Sequence, residues 1–213
     1  MSSVTNSTRS DLEKDSSSDD LGAARKIIVI GATGSLAASV IEASKSLKDT
    51  ELTLFVRDKR RLSDPLADGC KVVEGDALKY ENIKGAIAGH DVVYVNLAGD
   101  LETMGNNIVK AMKETGVKRI VAISSIGIYE TSLRPVLKPY RKLADIIEAS
   151  GLDYTILRPD WFTNSDEVDY ALTRKGEPET GSAISRKSIA AFIRTIFENP
   201  DLHRNENLGI SKP

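Results

Sequence analysis

The chain has 213 residues, 40% of them apolar, and a formal net charge of −2, enough for one substantial core and too little positive charge to imply nucleic acid or an anionic membrane as partner. A single cysteine, Cys70, excludes an internal disulfide framework and fits a reducing cytoplasm, and with only His90 and His203 beside it the composition argues against a metal cluster. No apolar run approaches the ~20 residues of a membrane helix, so a cytoplasmic, membrane-free protein is expected.

Residues 1–24 are rich in Ser and Asp, with nothing like the apolar core of a secretory leader, which predicts a disordered tail. Residues 25–213 then read as one domain in which strand and helix patterns alternate. Apolar, mostly β-branched runs predict strands at 26–30, 51–56, 71–73, 91–95, 119–124 and 154–157, with a last short one at 208–210. Helical patterns separate most of them, at 35–47, 78–88, 104–115 and 140–149. A further helix starts at the N-cap Ser185 and stops before Pro200. Continuous β-branched strands alternating with helices indicate a doubly wound α/β Rossmann fold. Its sheet is expected to be mostly parallel, of six or seven strands, with helices on both faces.

In such a sheet ligands lie outside the carboxyl ends of the strands. The first predicted strand ends in Gly31-Ala32-Thr33-Gly34-Ser35-Leu36-Ala37, a small-residue turn leading straight into a helix. A helix N-terminus with free N–H groups is a place for pyrophosphate, so Gly31, Thr33, Gly34, Ser35 and Leu36 are candidate cofactor residues. The spacing is G-x-x-G-x-x-A, in which alanine still permits close packing of helix on strand. The second strand ends in Arg57, followed by Asp58, Lys59, Arg60 and Arg61. An acid at this place would accept the ribose 2′-OH of NAD; an arginine fits the 2′-phosphate of NADP, so NADP(H) is favoured over NAD(H). Asp76, with Ala77 beside it, is placed to accept from the adenine amino group, to cap the next helix, or both. Asn96, Ala98 and Gly99 would flank the sugars, and Pro159 closes the sixth strand. His90 and His203 read as surface residues without a role.

Lys26 to Ala37, Val56-Arg57, Gly75-Asp76, Val95 to Gly99, Ile123 to Tyr129 and Ser150 to Pro159 together resemble the atypical short-chain dehydrogenases, the NAD(P)H-binding, NmrA-like group. The likeness runs from Lys26 to Pro213. It implies a Rossmann domain and NADP(H), in a group that includes flavin and quinone reductases and redox-sensing regulators. The wider family uses a tyrosine as general acid with a lysine four residues on. Here Tyr80 and Lys84 have that spacing on the adenine side, where it is a decoy. In the expected region Tyr140 stands where relatives carry the lysine and Val136 where they carry the tyrosine, so the pair is missing. The connection from Tyr129 to Pro139 is also shorter than in those relatives.

Ser125 matches the family's carbonyl-binding serine, and Tyr140 is the candidate proton donor. Trp161 and Phe162 would wall a substrate pocket. The expectation is an NADPH-dependent reductase acting on a small carbonyl, quinone or flavin. The alternative is an NADP(H)-sensing module that acts through a protein partner without turnover. Neither the substrate nor the oligomeric state is legible.

Overall fold

A computed structural model describes residues 23–213; the tail expected over residues 1–24 lies, up to residue 22, outside the described residues. In chain order the elements are β1 (Arg25–Ile30), α1 (Ser35–Ser44), β2 (Thr50–Val56), α2 (Asp64–Ala67), β3 (Lys71–Glu74), α3 (Tyr80–Ile87), β4 (Val92–Val95), α4 (Leu101–Thr115) and β5 (Arg119–Ile123). There follow α5 (Lys138–Glu148), β6 (Asp153–Pro159), β7 (Phe162–Thr163), β8 (Ala171–Arg174), β9 (Ile184–Ser185), α6 (Arg186–Glu198) and β10 (Glu206–Ser211). Single 3₁₀ turns stand at Lys59–Arg61 and Pro135–Leu137.

The main sheet runs β3-β2-β1-β4-β5-β6-β10-β8, the doubly wound order that reverses direction between β1 and β4. All its pairings are parallel except β10 with β8. Eight strands thus stand where six or seven were expected. The addition, β8, is a short edge strand whose residues alternate between half-buried and exposed, with no β-branched run to announce it. A separate two-stranded ladder joins β7 to β9.

The sheet divides the core in two. On one face α1 and α6 cover Ile27, Val29, Leu54 and Tyr94; on the other α3, α4 and α5 cover Ile28, Ile30, Val93 and Ile120. Alternate residues of β1 therefore enter opposite cores. Ile27, Ile28, Val29 and Ile30 are all fully buried, each contributing about 1.5–3 kcal/mol of apolar transfer. That central strand fixes the position of the turn that follows it.

Several boundaries differ from those read off the sequence. α4 begins three residues before the expected 104, because the Asp100 carboxylate accepts the Thr103 N–H at 3.1 Å and caps the helix there. α1 ends at Ser44 rather than 47, and Asp49 adopts a left-handed φ of 51° in the turn to β2. His90 and His203 are half-buried rather than on the surface. The turn after α3 folds the His90 ring onto β2, where Nε2 lies 2.9 Å from the Thr53 hydroxyl and Nδ1 3.2 Å from the Ile87 carbonyl. His203 Nδ1 lies 2.7 Å from the Glu206 carboxylate.

Candidate functional site

A cleft of ≈ 640 Å³ opens along the carboxyl ends of β1 to β6. Gly31, Thr33, Gly34, Ser35 and Leu36 line it after β1, Arg57 after β2, Asp76 and Ala77 after β3, and Asn96, Ala98 and Gly99 after β4. Ser125 follows β5, Tyr140 comes from the first turn of α5, and Pro159 ends β6. The topology thus brings together every residue put forward from the sequence.

The glycine turn is held from two sides. The N–H groups of Gly31 and Ala32 donate to the Phe55 carbonyl at 3.2 and 3.4 Å, and Gly31 takes a φ of 89°. A Cβ at Gly31 would overlap the Asn96 carbonyl oxygen, so only glycine lets β1 and β4 approach so closely here. The helix that follows starts without a side-chain cap, as α2, α3 and α5 also do. α4 is capped by Asp100 and α6 by the Ser185 hydroxyl, whereas α1 has no side-chain cap and no acid in its first turn. Its first N–H groups and positive dipole end are therefore left to the cleft. Gly99, with a φ of 106°, would meet nothing within 4 Å if given a Cβ, which leaves open space above the end of β4.

The basic run after β2 sorts itself by partner. Asp58 holds Arg60 in a two-point pair, Oδ1 to Nε and Oδ2 to Nη2, both at 2.9 Å. These bonds draw the Asp58 carboxyl down to about 2. Lys59 gives its backbone N–H to the Glu74 carboxylate at 3.0 Å. Arg57 and Arg61 both line the cleft, and among the described residues neither side chain makes an ion pair. The run is thus not an undifferentiated solvated face, and Arg61 is a second cation that the sequence alone did not separate from its neighbours. Asp76 does not cap α3. Its Oδ1 accepts the Leu78 N–H at 3.0 Å in a local turn, while α3 starts only at Tyr80 behind an N-cap at Lys79.

At the far end the Ser125 hydroxyl donates to the Ile126 carbonyl at 3.2 Å, and buried Ser124 donates to the Tyr140 carbonyl at 3.1 Å, fixing the start of α5 against β5. Val136 and Tyr140, four residues apart, both face the cleft. The lining contains no lysine. Tyr80 and Lys84 stand outside it, joined to Glu114 of α4 at 2.5 and 2.7 Å on the outer surface. The wall beyond Ser125 is completed by Ile126, Arg134, Leu137, Asp160, Trp161 and Phe162. Of these only Trp161 and Phe162 carried a sequence signal.

A buried ion pair supports that wall from behind. Arg158, 1% exposed, lies 3.0 Å from the Glu179 carboxylate, whose other oxygen accepts the Gly127 N–H at 2.8 Å. Arg158 also stacks over the Tyr129 ring, 5.2 Å from its centroid. Burial lowers the Arg158 pKa, and the Glu179 charge opposes that shift. Among the described residues no cluster of three His, Cys, Asp or Glu could hold a metal, and no helix is long and apolar enough to cross a membrane.

The solved structure of a Rossmann-fold NAD(P)-binding family protein from Shigella flexneri is similar, at 41% identity and a TM-score of 0.82, over 89% of this chain and 94% of that one. The isoflavone reductase homolog A622 of Nicotiana tabacum is 31% identical over 168 residues, 72% of this chain and 52% of that protein. The uncharacterized sugar epimerase YhfK of Bacillus subtilis is 26% identical over 211 residues, 85% of this chain and 91% of that protein. The chain spans about half the length of the isoflavone reductase homologues it matches. The glycine turn and the doubly wound sheet go with a match of residues 31–200 to the NAD(P)H-binding family, and the chain belongs to that family of Rossmann-fold proteins.

Proposed function

We propose that the cleft takes NADP(H) in preference to NAD(H), and that the chain is a reductase acting on a small carbonyl, quinone or flavin at the Ser125 end. The observation that carries the reading is the uncapped, acid-free start of α1 opening into a cleft that also holds two uncommitted arginines, Arg57 and Arg61. In this reading the first N–H groups of α1 and the Gly31–Leu36 turn hold the pyrophosphate. Arg57, with Arg61 beside it, grips the 2′-phosphate. Asp76 accepts from the adenine amino group while its Oδ1 keeps the Leu78 turn. Asn96, Ala98 and Gly99 leave room for the sugars, and Pro159 bounds the nicotinamide side.

NADPH, when bound, supplies a hydride. The Ser125 hydroxyl can exchange its long bond to Ile126 for the acceptor's oxygen, and Tyr140 lines the same cleft. A flavin or quinone takes its balancing proton from solvent, so this chemistry does not require the missing lysine. The sheet's relatives named as reductases, including a phenylcoumaran benzylic ether reductase of Ginkgo biloba at 27% identity, agree with the reaction class.

The test is calorimetric titration with NADPH, NADH, NADP⁺ and NAD⁺, followed by NADPH absorbance against quinones, flavins and aldehydes. Preference for NADPH and oxidation by at least one acceptor are expected. Equal affinity for NADH would overturn the assignment of Arg57. Tight binding without oxidation by any acceptor would favour the sensing module, the reading to which the absent Tyr/Lys pair also points.

A further inference from the structure

Arg186 opens α6, 151 residues after Ser35, yet its guanidinium joins the start of α1 to the segment after β6. Its Nε donates to the Ser35 hydroxyl at 3.2 Å. Its Nη1 donates to the Thr163 carbonyl at 3.3 Å and to the Asn164 side-chain oxygen at 2.6 Å. The guanidinium carbon also lies 5.3 Å from the centre of the Phe162 ring. Ser35 and Phe162 both line the cleft, so Arg186 touches it at two places.

An arginine carries five N–H donors, and Nε and Nη1 account for three of them here. The two on Nη2 have no partner among the described residues. Nε and Nη2 together form one edge of the planar fork, the edge with which Arg60 grips both oxygens of Asp58. In Arg186 that edge is turned to Ser35, the first residue of α1, with one donor engaged and the other unused. The charge is not neutralised either. Among the described residues Arg186 makes no ion pair, and α6 has no acid in its first turn. Two acids of the adjoining segment are committed elsewhere, Asp166 to Lys187 at 3.6 Å and Glu167 to Lys212 at 3.4 Å.

We propose that Arg186 is a further cofactor residue, its Nε–Nη2 edge binding the pyrophosphate beside the Ser35 hydroxyl. This rests on the reading of the cleft as a dinucleotide site with its pyrophosphate at the glycine turn. A guanidinium edge suits phosphate oxygens, and here half of one stands unused at the place where the anion sits. The pyrophosphate is common to NADP(H) and NAD(H), so Arg186 raises the affinity for both, whereas Arg57 serves the 2′-phosphate alone. The same side chain fastens the Phe162–Asn164 segment to the cofactor turn.

Three ligands separate the phosphates. NADP⁺ carries both the pyrophosphate and the 2′-phosphate, NAD⁺ only the pyrophosphate, and 2′-AMP only the 2′-phosphate. Each is titrated by calorimetry into wild type, Arg186→Gln, Arg186→Lys and Asn164→Ala. Arg186→Gln is expected to weaken NADP⁺ and NAD⁺ alike by about tenfold, the scale of one charge-assisted hydrogen bond, and to spare 2′-AMP. Arg186→Lys keeps the charge without the fork and should recover part of the loss. Asn164→Ala removes the shortest tether of the guanidinium but not its charge, and should leave all three affinities nearly unchanged. Unaltered binding of NADP⁺ and NAD⁺ by Arg186→Gln would overturn the proposal and leave the cofactor reading intact. So would a loss confined to NADP⁺, which would move Arg186 to the 2′-phosphate. A loss in Asn164→Ala as large as that in Arg186→Gln would also overturn it, reducing the arginine to a tether. Wild-type protein that binds none of the three would defeat the cofactor reading, and the proposal with it.

Discussion

At the glycine-turn end of the cleft, Gly31, Arg57, Asp76 and Asn96 each stand within two residues of the end of a strand of the parallel sheet, and the shape is set by backbone. At the Ser125 end, the wall comes from a 3₁₀ turn, the first turn of α5 and the segment after β6. There the shape is set by side chains, with Trp161 and Val136 largely bare. The first end has little freedom to change, because Gly31 sits where a Cβ would strike the β4 backbone. The second can exchange Val136 or Trp161 without moving a strand. A family that keeps one cofactor site while varying its acceptors is well served by such a division.

The largest expected effect breaks the rigid end. Gly31→Ala forces a Cβ onto the Asn96 carbonyl at a φ of 89° and should destabilise the fold by at least about 3 kcal/mol, read as a fall in the urea midpoint. Next, Arg57→Ala should weaken NADPH by about 1.5–3 kcal/mol, roughly ten- to hundredfold, and leave NADH nearly unchanged by calorimetry. At the adaptable end the effects should be smaller. Ser125→Ala is expected to lower kcat/KM by up to about tenfold, the scale of one neutral hydrogen bond. Tyr140→Phe should change kcat less than about threefold with a flavin or quinone. A loss of ~10²–10⁴ would instead make Tyr140 the general acid.

The smallest effect separates both ends from the rest of the fold. No histidine lines the cleft, and His90 lies outside it. Burial lowers the His90 pKa, so the unfolded chain binds that proton more readily than the folded one. Its share of stability is fully present above the ordinary histidine pKa of about 6.5 and is lost as pH falls from there through the lowered value in the folded chain. Urea midpoints between pH 5 and 7.5 should accordingly flatten in His90→Asn, with NADPH affinity unaffected.

What was legible in the sequence follows the same division. Gly31 to Leu36, Arg57 and Asn96 could be found because each lies within a few residues of a recognisable strand end, and the parallel-sheet rule then places them on one edge. Arg61 could not be told from Arg60 without the two-point pair that commits Arg60 to Asp58. Arg134, Leu137 and Ile126 gave no signal, since nothing local marks them and they meet the cleft only through tertiary packing. β8 was hidden for a related reason: Ala171–Arg174 has no strand-like run, and it exists as a strand because β10 offers it an edge. Asp76 lines the cleft, and of its two alternatives in the sequence the capping of α3 fails because that helix starts later than the apolar pattern suggests.

The Glu179 carboxylate that joins Gly127 to Arg158 spans 52 residues of chain to Gly127, and it comes from a loop beyond β8, the antiparallel edge strand. Contacts of that reach close a long loop, and edge segments open before central strands do. The Ser125 end should therefore breathe while β1 stays shut. In hydrogen exchange, the Gly127 amide should exchange well ahead of the amides of Ile28 and Ile30. Acceptors could then enter and leave by this local opening while the glycine turn after central β1 stays closed.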